Sequence, residues 1–280
     1  LLASTRGTLT LRCEVASNPF DMSLPSPSPK LLLLGSDHPS TWVVYNRLVR
    51  EFGLFDALIE EPVSRAALLR NRARKLGWPA VLSQVAFVVL LRPILCYQSG
   101  KRIADISREH DLEASRPFTP AIRDVTNVNA PETIELIAAC NPDIVIVNGT
   151  RILKPGLLNR IKATFINTHQ GITPKYRGAH GGYWARFAND PNNCGVTVHI
   201  IDEGIDTGSI IEQAVISPIM ADSYITYPYL QIAAALPLLV AAVRASAKGE
   251  LKTFVAKGAS AVWYHPGFFQ YLIARLRGVR

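Results

Sequence analysis

The stretch FINTHQGITPKYRGAHGGYW, residues 165–184, decides how this chain is read. It opens as an apolar strand and places Asn167 and His169 two apart at the strand's carboxyl end. A proline, a Tyr-Arg-Gly turn and a glycine pair follow at once. Strand side chains alternate faces, so Asn167 and His169 point to the same side. Two readings fit these residues alone: a pair of catalytic groups, or a polar strand end beside a well-made turn.

Working outward, the neighbouring segments alternate between strand and helix patterns. KLLLLGS (30–36), FDALIEE (55–61) and PDIVIVNG (142–149) read as strands, the first and third apolar enough to be buried on both faces. Residues 40–53 fit a helix capped by Ser40 or Thr41, and APETIELIAACN (130–141) a helix with Pro131 in its first turn. CGVTVHIID (194–202) and SIIEQAVIS (209–217) read as strands around a tight glycine-rich loop. Helices are expected near 222–248 and 267–277. The alternation predicts an α/β fold, a mostly parallel sheet with helices on both faces. Carboxyl ends of strands in such sheets are where ligands bind, which places Asn167 and His169 well.

The expected organisation is a flexible leader over 1–29, with Met22 a natural start, then one catalytic domain over 30–217. That domain carries a basic helical insertion at 64–112, broken near Gly77, and a helical extension over 218–280 packs on it. The composition, 48% hydrophobic and 19% charged, excludes disorder of the whole chain. The net charge of +8 is concentrated in the segment around Arg65–Lys75 and in Arg275, Arg277 and Arg280. No basic stretch interleaves with aromatics, so nucleic acid is not the expected partner. Four scattered cysteines form no C-x-x-C pair and suit a reducing cytoplasm, where the chain is expected to reside. AVLSQVAFVVLLRPILCY (80–97) is interrupted by Arg92 and Pro93, and YLQIAAALPLLVAAV (229–243) is short and carries Pro237. Both are expected as buried helices rather than transmembrane segments, with peripheral membrane contact the alternative.

Two further stretches carry chemistry. In GVTVHIIDEGIDTGSII (195–211), two acids and two glycines fall within DEGIDTG, a loop able to hold Asp206 over a neighbouring strand end or to serve as a simple hairpin. In NGTRILKPGLL (148–158), Arg151 precedes Ile152 and Leu153, as a capping arginine before core residues or as one wall for a flat heterocycle.

Together and in this order, N-x-H, PKYRG, TVHIIDEGIDTGSII and RIL resemble the folate-dependent formyltransferase family, over roughly residues 120–217. The family includes glycinamide ribonucleotide, methionyl-tRNA and sugar-nucleotide formyltransferases. The resemblance implies a Rossmann-like formyltransferase fold and N10-formyltetrahydrofolate as co-substrate, with no metal. It implies Asn167, His169 and Asp206 as the catalytic trio, with Asn167 and a protonated His169 donating to the oxyanion of a tetrahedral intermediate and Asp206 taking the amine's proton. Backbone groups of Ile201, Asp202, Glu203, Gly204 and Ile205 would meet the pterin, facing Arg151, Ile152 and Leu153.

The acceptor side is less defined. GSDHPST (35–41) stands where glycinamide ribonucleotide enzymes carry a Gly-Ser-Asn phosphate loop, with Asp37 disfavouring a phosphate. Gly35 and Ser36 before a helix amino end still suit an anion. Tyr176, Arg177, Gly178 and Tyr183 complete the candidate substrate contacts, Tyr183 and Trp184 fitting a core equally. The acceptor is expected to be a small amine, an amino sugar nucleotide or glycinamide ribonucleotide; formyltetrahydrofolate hydrolysis and a non-catalytic folate or nucleotide binder are the alternatives. The oligomeric state is open. A zinc site of His169, His180 and His199 lacks the spacing of known zinc motifs.

Overall fold

The computed structural model describes residues 29–280. The expected leader lies, save its last residue, outside the described residues. Its largest sheet has seven strands in the order β3-β2-β1-β4-β5-β7-β8. These are β1 (Leu31–Ser36), β2 (Asp56–Glu60), β3 (Ile122–Val125), β4 (Ile144–Asn148), β5 (Thr164–His169), β7 (Gly195–Ile200) and β8 (Ile210–Val215). β1 to β5 pair in parallel, while β7 and β8 run antiparallel at one edge. A two-stranded sheet joins β6 (Arg177–Gly178) to β9 (Val262–Trp263).

The apolar runs explain the layering. Leu31 and Leu33 of β1, with Ile144 and Ile146 of β4, pack against α1 (Pro39–Phe52) and α8 (Tyr227–Ala247). Leu32, Leu34, Val145 and Val147 face the other way, toward α5 (Pro131–Cys140) and α6 (Pro155–Arg160). A strand covered on both faces needs apolar residues at consecutive positions, and each side chain fully buried this way contributes about 1.5–3 kcal/mol. Gly35 is required here, since a Cβ would lie 2.4 Å from the Thr41 methyl on α1.

Several local expectations are corrected. The cap of α1 is His38, whose side chain accepts from the Ser40 amide, because Pro39 already opens the helix. β3 was not anticipated: IRDV is short and its residues are partly exposed at the sheet edge. The extension beyond 217 is not wholly helical, since Val262–Trp263 pairs with β6 and Phe254 bridges to Ile210.

The insertion forms α2 (Arg65–Leu76), α3 (Trp78–Ala86) and α4 (Arg92–Glu109), the last two joined by a π-helical turn at Phe87–Leu91. Trp78–Glu109 is a helical run of 32 residues, and it and Tyr227–Ala247 are long and apolar enough to cross a membrane by length and composition. α8 packs on the sheet, its Leu236, Leu239 and Val243 buried. The expectation that 80–97 is a buried helix fails: Leu82, Val88, Val89, Leu90 and Ile94 are exposed. Only one face of that run is held by the domain, through Val81, Phe87, Ser99 and Ile106 and an Arg102–Asp222 ion pair at 2.9 Å. A third cluster, rich in aromatic residues, joins it to α7 (Gly181–Phe187) and α9 (Phe268–Leu276).

Candidate active site

The strand order reverses direction of growth between β1 and β4, and the crevice outside their carboxyl ends is the natural ligand site. A cavity of about 750 Å³ lies there. The loops after β4 and β7 form one wall; α4, the first turn of α8 and His180 form another. Ser40 and Thr41 both donate to Asn148 Oδ1, at 3.1 and 3.2 Å, which ties α1 to the end of β4 at the crevice.

Asn167, His169 and Asp206 converge on this cavity. Antiparallel pairing sets Asn167 opposite His199 and His169 opposite Thr197. The Asp206 carboxylate accepts from the Gly178 amide at 2.9 Å and lies 3.2 Å from His169 Nδ1. Asp206 has φ of +51°, a left-handed backbone that places its side chain back over β5. The loop is held by Asp202, which accepts from the Gly204 amide at 3.0 Å and from the Thr207 hydroxyl at 2.7 Å. Gly208 is obligatory, because a Cβ would meet the Ile200 carbonyl at 1.7 Å.

The turn at PKYRG has a definite task. His169 Nε2 donates to the Tyr176 carbonyl at 2.7 Å, which fixes the ring's proton on that nitrogen and leaves Nδ1 toward Asp206. Gly171 permits this approach, since a Cβ there would lie 2.2 Å from the same carbonyl. Arg177 donates to the Ile205 carbonyl at 3.1 Å and so braces the loop from beneath.

Burial lowers the His169 pKa below the usual imidazole range, against the Asp206 carboxylate and the Tyr176 carbonyl, which raise it. Burial also opposes ionisation of Asp206, but His199, His169 and the Gly178 amide together hold it at about 2. Near neutral pH the pair is therefore a neutral imidazole beside a carboxylate. Such a pair accepts a proton, and the resulting imidazolium is held between two oxygens.

The geometry differs from the resemblance on one point. His169 offers no free N–H to an oxyanion, because Nε2 is engaged by Tyr176. Asn167 does: Nδ2 lies 3.1 Å from His199 Nε2, and its second hydrogen remains for a ligand. His199, a strand residue by its alternating pattern, joins the site. Its Nδ1 donates to the Ile200 carbonyl at 2.8 Å, while Nε2 faces Asn167 and, at 3.7 Å, Asp206. The available signal was period two along β7 combined with the register to Asn167.

Of the remaining expected residues, Arg151, Ile152, Leu153, Ile201, Asp202, Gly204, Ile205 and Gly178 line the cavity. The Arg151 guanidinium is turned away to buried Glu60, at 2.6 Å, and to the Thr126 carbonyl, at 2.8 Å. Arg151 thus holds the β4 loop to β2. Glu203, Gly35, Ser36, Tyr176, Arg177 and Tyr183 do not line it. Tyr183 is a core residue, stacked on Tyr271 and edge-on to Tyr224, because Gly181 and Gly182 let α7 sink into the domain. His180 turns instead to Tyr224, at 2.8 Å, and to His265, at 2.9 Å. Among the described residues no group of three or more His, Cys, Asp or Glu is arranged to hold a metal.

Residues 64–228 match the family model described as Formyl transferase. This chain belongs to the formyl transferase family. It is 36% identical over 101 residues to methionyl-tRNA formyltransferase of Chlorobium chlorochromatii, covering 36% of this chain and 32% of the relative. It is 38% identical over 139 residues to phosphoribosylglycinamide formyltransferase of Mycobacterium tuberculosis, covering 48% of this chain and 64% of the relative. The matches thus span a third to under two thirds of these curated relatives' length. Solved formyltransferase structures share the fold. One is WlaRD, a sugar 3N-formyl transferase solved in the presence of dTDP and 5-N-formyl-THF: TM-score 0.50, 14% identity, 84% of this chain and 69% of that one. The mostly parallel α/β sheet expected from the sequence is the formyltransferase fold observed.

Proposed function

We propose that this chain transfers a formyl group from N10-formyltetrahydrofolate to the amine of a small acceptor. The observation that carries the reading is the convergence of Asn167, His169 and Asp206 on one cavity at the carboxyl end of β5. A folate co-substrate is supported by the solved relative obtained with 5-N-formyl-THF and by the apolar wall of Ile152, Leu153, Ile201 and Ile205.

The residues divide the reaction as follows. A neutral amine attacks the formyl carbon, giving a tetrahedral intermediate with an oxyanion and an ammonium nitrogen. Asn167 Nδ2 donates to the oxyanion, an interaction strongest where charge develops. The ammonium gives its proton to the His169–Asp206 pair. Collapse of the intermediate breaks the bond to N10 of the folate, and the His169–Asp206 pair returns the proton to that leaving nitrogen through the Asp206 carboxylate. His199 orients the Asn167 amide throughout.

Arg92 from α4 lines the cavity together with His38 and His180. Its charge contributes to lowering the pKa of His38, His180 and His265, in each case after burial. The Arg92 charge supports an acceptor whose amine is joined to a phosphate, as in an amino sugar nucleotide or a ribonucleotide amine. The test supplies 10-formyltetrahydrofolate and a panel of such amines and follows tetrahydrofolate release. Release that depends on one acceptor is the expected result. Release without any amine, or none despite tight folate binding, overturns the reading.

A further inference from the structure

The helical run Trp78–Glu109 presents two different faces. Arg92, Cys96 and Ile103 point into the catalytic cavity, at the spacing of one helical side. Trp78, Leu82, Val89, Leu90, Ile94 and Tyr97 lie on the outer side, exposed by between 54% at Ile94 and 89% at Tyr97. α9 packs beside α3 and the π-turn and adds a second outward stripe, Phe269, Leu272, Ile273 and Leu276, at i, i+3, i+4 and i+7. Contiguous apolar surface of this kind marks an interaction site.

Charge identifies what it meets. Residues 62–104 carry eight Lys and Arg and no Asp or Glu, and residues 251–280 carry five and none. These two segments thus hold thirteen positive charges, against a net +8 for the whole chain, so the remainder is acidic. Arg70, Arg74 and Lys75 on α2, and Arg275, Arg277 and Arg280 at and beyond the end of α9, are exposed around the two stripes. A second copy of the chain docking here would oppose cationic rims. A nucleic acid would satisfy the rim and leave the aliphatic stripes in water. An anionic bilayer surface satisfies both, with acyl-chain boundary for the stripes and headgroups for the rim.

We propose that the α3–α4 and α9 face is a peripheral docking surface for an anionic lipid bilayer. The helices lie in the interface plane, because Ser99, Ile106 and the Arg102–Asp222 pair hold the run along the domain.

The test uses the full chain and vesicles, without turnover, so it stands apart from the reaction proposed above. Partition is measured by flotation on phosphatidylcholine vesicles and on vesicles with about 30% phosphatidylglycerol, enough to set a negative surface potential. The expected result is at least tenfold stronger binding to the anionic vesicles, with a blue shift of tryptophan emission that Trp78→Phe diminishes. Raising salt from about 0.1 M to about 1 M shortens the screening length from about 10 to about 3 Å and weakens binding. Arg74→Glu/Lys75→Glu reduces partition roughly tenfold or more, and Leu82→Ser/Val89→Ser/Phe269→Ser abolishes the salt-resistant part. These exposed substitutions leave the circular dichroism spectrum unchanged. Equal partition on both vesicle types, or binding indifferent to both variants, overturns the proposal. So does a dimer dispersed by the serine variant, or binding of an RNA, in a chain that does not bind vesicles.

Discussion

At the residue scale, the proposed chemistry rests on three side chains with separable tasks. Asp206→Asn removes the charge that would hold an imidazolium on His169 and keeps the loop's shape. Formyl transfer is expected to fall below detection, with folate binding, read by fluorescence or calorimetry, close to normal. Asn167→Ala removes the oxyanion donor and should lower kcat by about two to three orders of magnitude. The pH profile follows from the directions of the shifts. His169 must be neutral to accept a proton, and burial lowers its pKa. Referred to the concentration of neutral amine, kcat/KM should therefore be level at pH 7 and above and fall with unit slope only below the usual imidazole range. A profile that falls as pH rises through 7 would show that the imidazolium is the working form. Asn167, His169 and Asp206 were legible because residue types and order repeat a family pattern. His199 was not, since a histidine within an apolar strand reads as core until its register to Asn167 is known.

At the scale of elements, loops set the geometry and strands only anchor it. Gly208→Ala places a methyl against the Ile200 carbonyl, a contact of 1.7 Å that forces the 201–209 loop outward. Folate affinity should drop at least tenfold, with little change in the unfolding midpoint because only Ile201 of that loop packs against the core. The Arg151–Glu60 pair acts oppositely. Glu60 is 4% exposed, and Arg151→Met leaves its carboxylate with only the Val128 and Arg151 amides. Because Arg151 is 26% exposed and two amides stay on the carboxylate, the loss is smaller than the about 3–5 kcal/mol of a fully buried pair, and is measurable as a lower denaturant midpoint. From sequence, Arg151 fitted a cap and a ligand wall equally; the choice depended on β2, some 90 residues earlier. β3 escaped notice for a related reason, because a four-residue edge strand with three residues not buried has no period to detect.

At the scale of the whole molecule, the half-buried pair His180 and His265 makes stability depend on pH. Burial first, then Arg72 and Arg92, lower His265 from 6.5 to about 4, and burial, His265 and the two arginines push His180 well below its ordinary value. The unfolded chain binds these protons more tightly than the folded one. Stability is therefore complete above pH 6.5 and is lost as pH falls toward 4. At about 1.4 kcal/mol per unit, His265 alone accounts for roughly 3 kcal/mol. Thermal melts between pH 7 and 4 should show the loss, and His265→Phe should flatten it. A melting temperature constant over that range would exclude a neutral histidine cluster there.

The sequence by itself determined the strands β1, β2, β4, β5, β7 and β8 and most of the helices between them, and the motifs that carry Asn167, His169 and Asp206. These follow from local periodicity and short motifs that any part of the chain carries within itself. Only the tertiary structure decided which groups meet across it. It turned Arg151 to Glu60, set the proton of His169 through the Tyr176 carbonyl, sank Tyr183 into the core and left the apolar helix at 80–97 outside. Each of those outcomes depends on packing between segments far apart in the chain. A hydrophobic stretch states that it must leave water; only the fold states which surface it leaves water for.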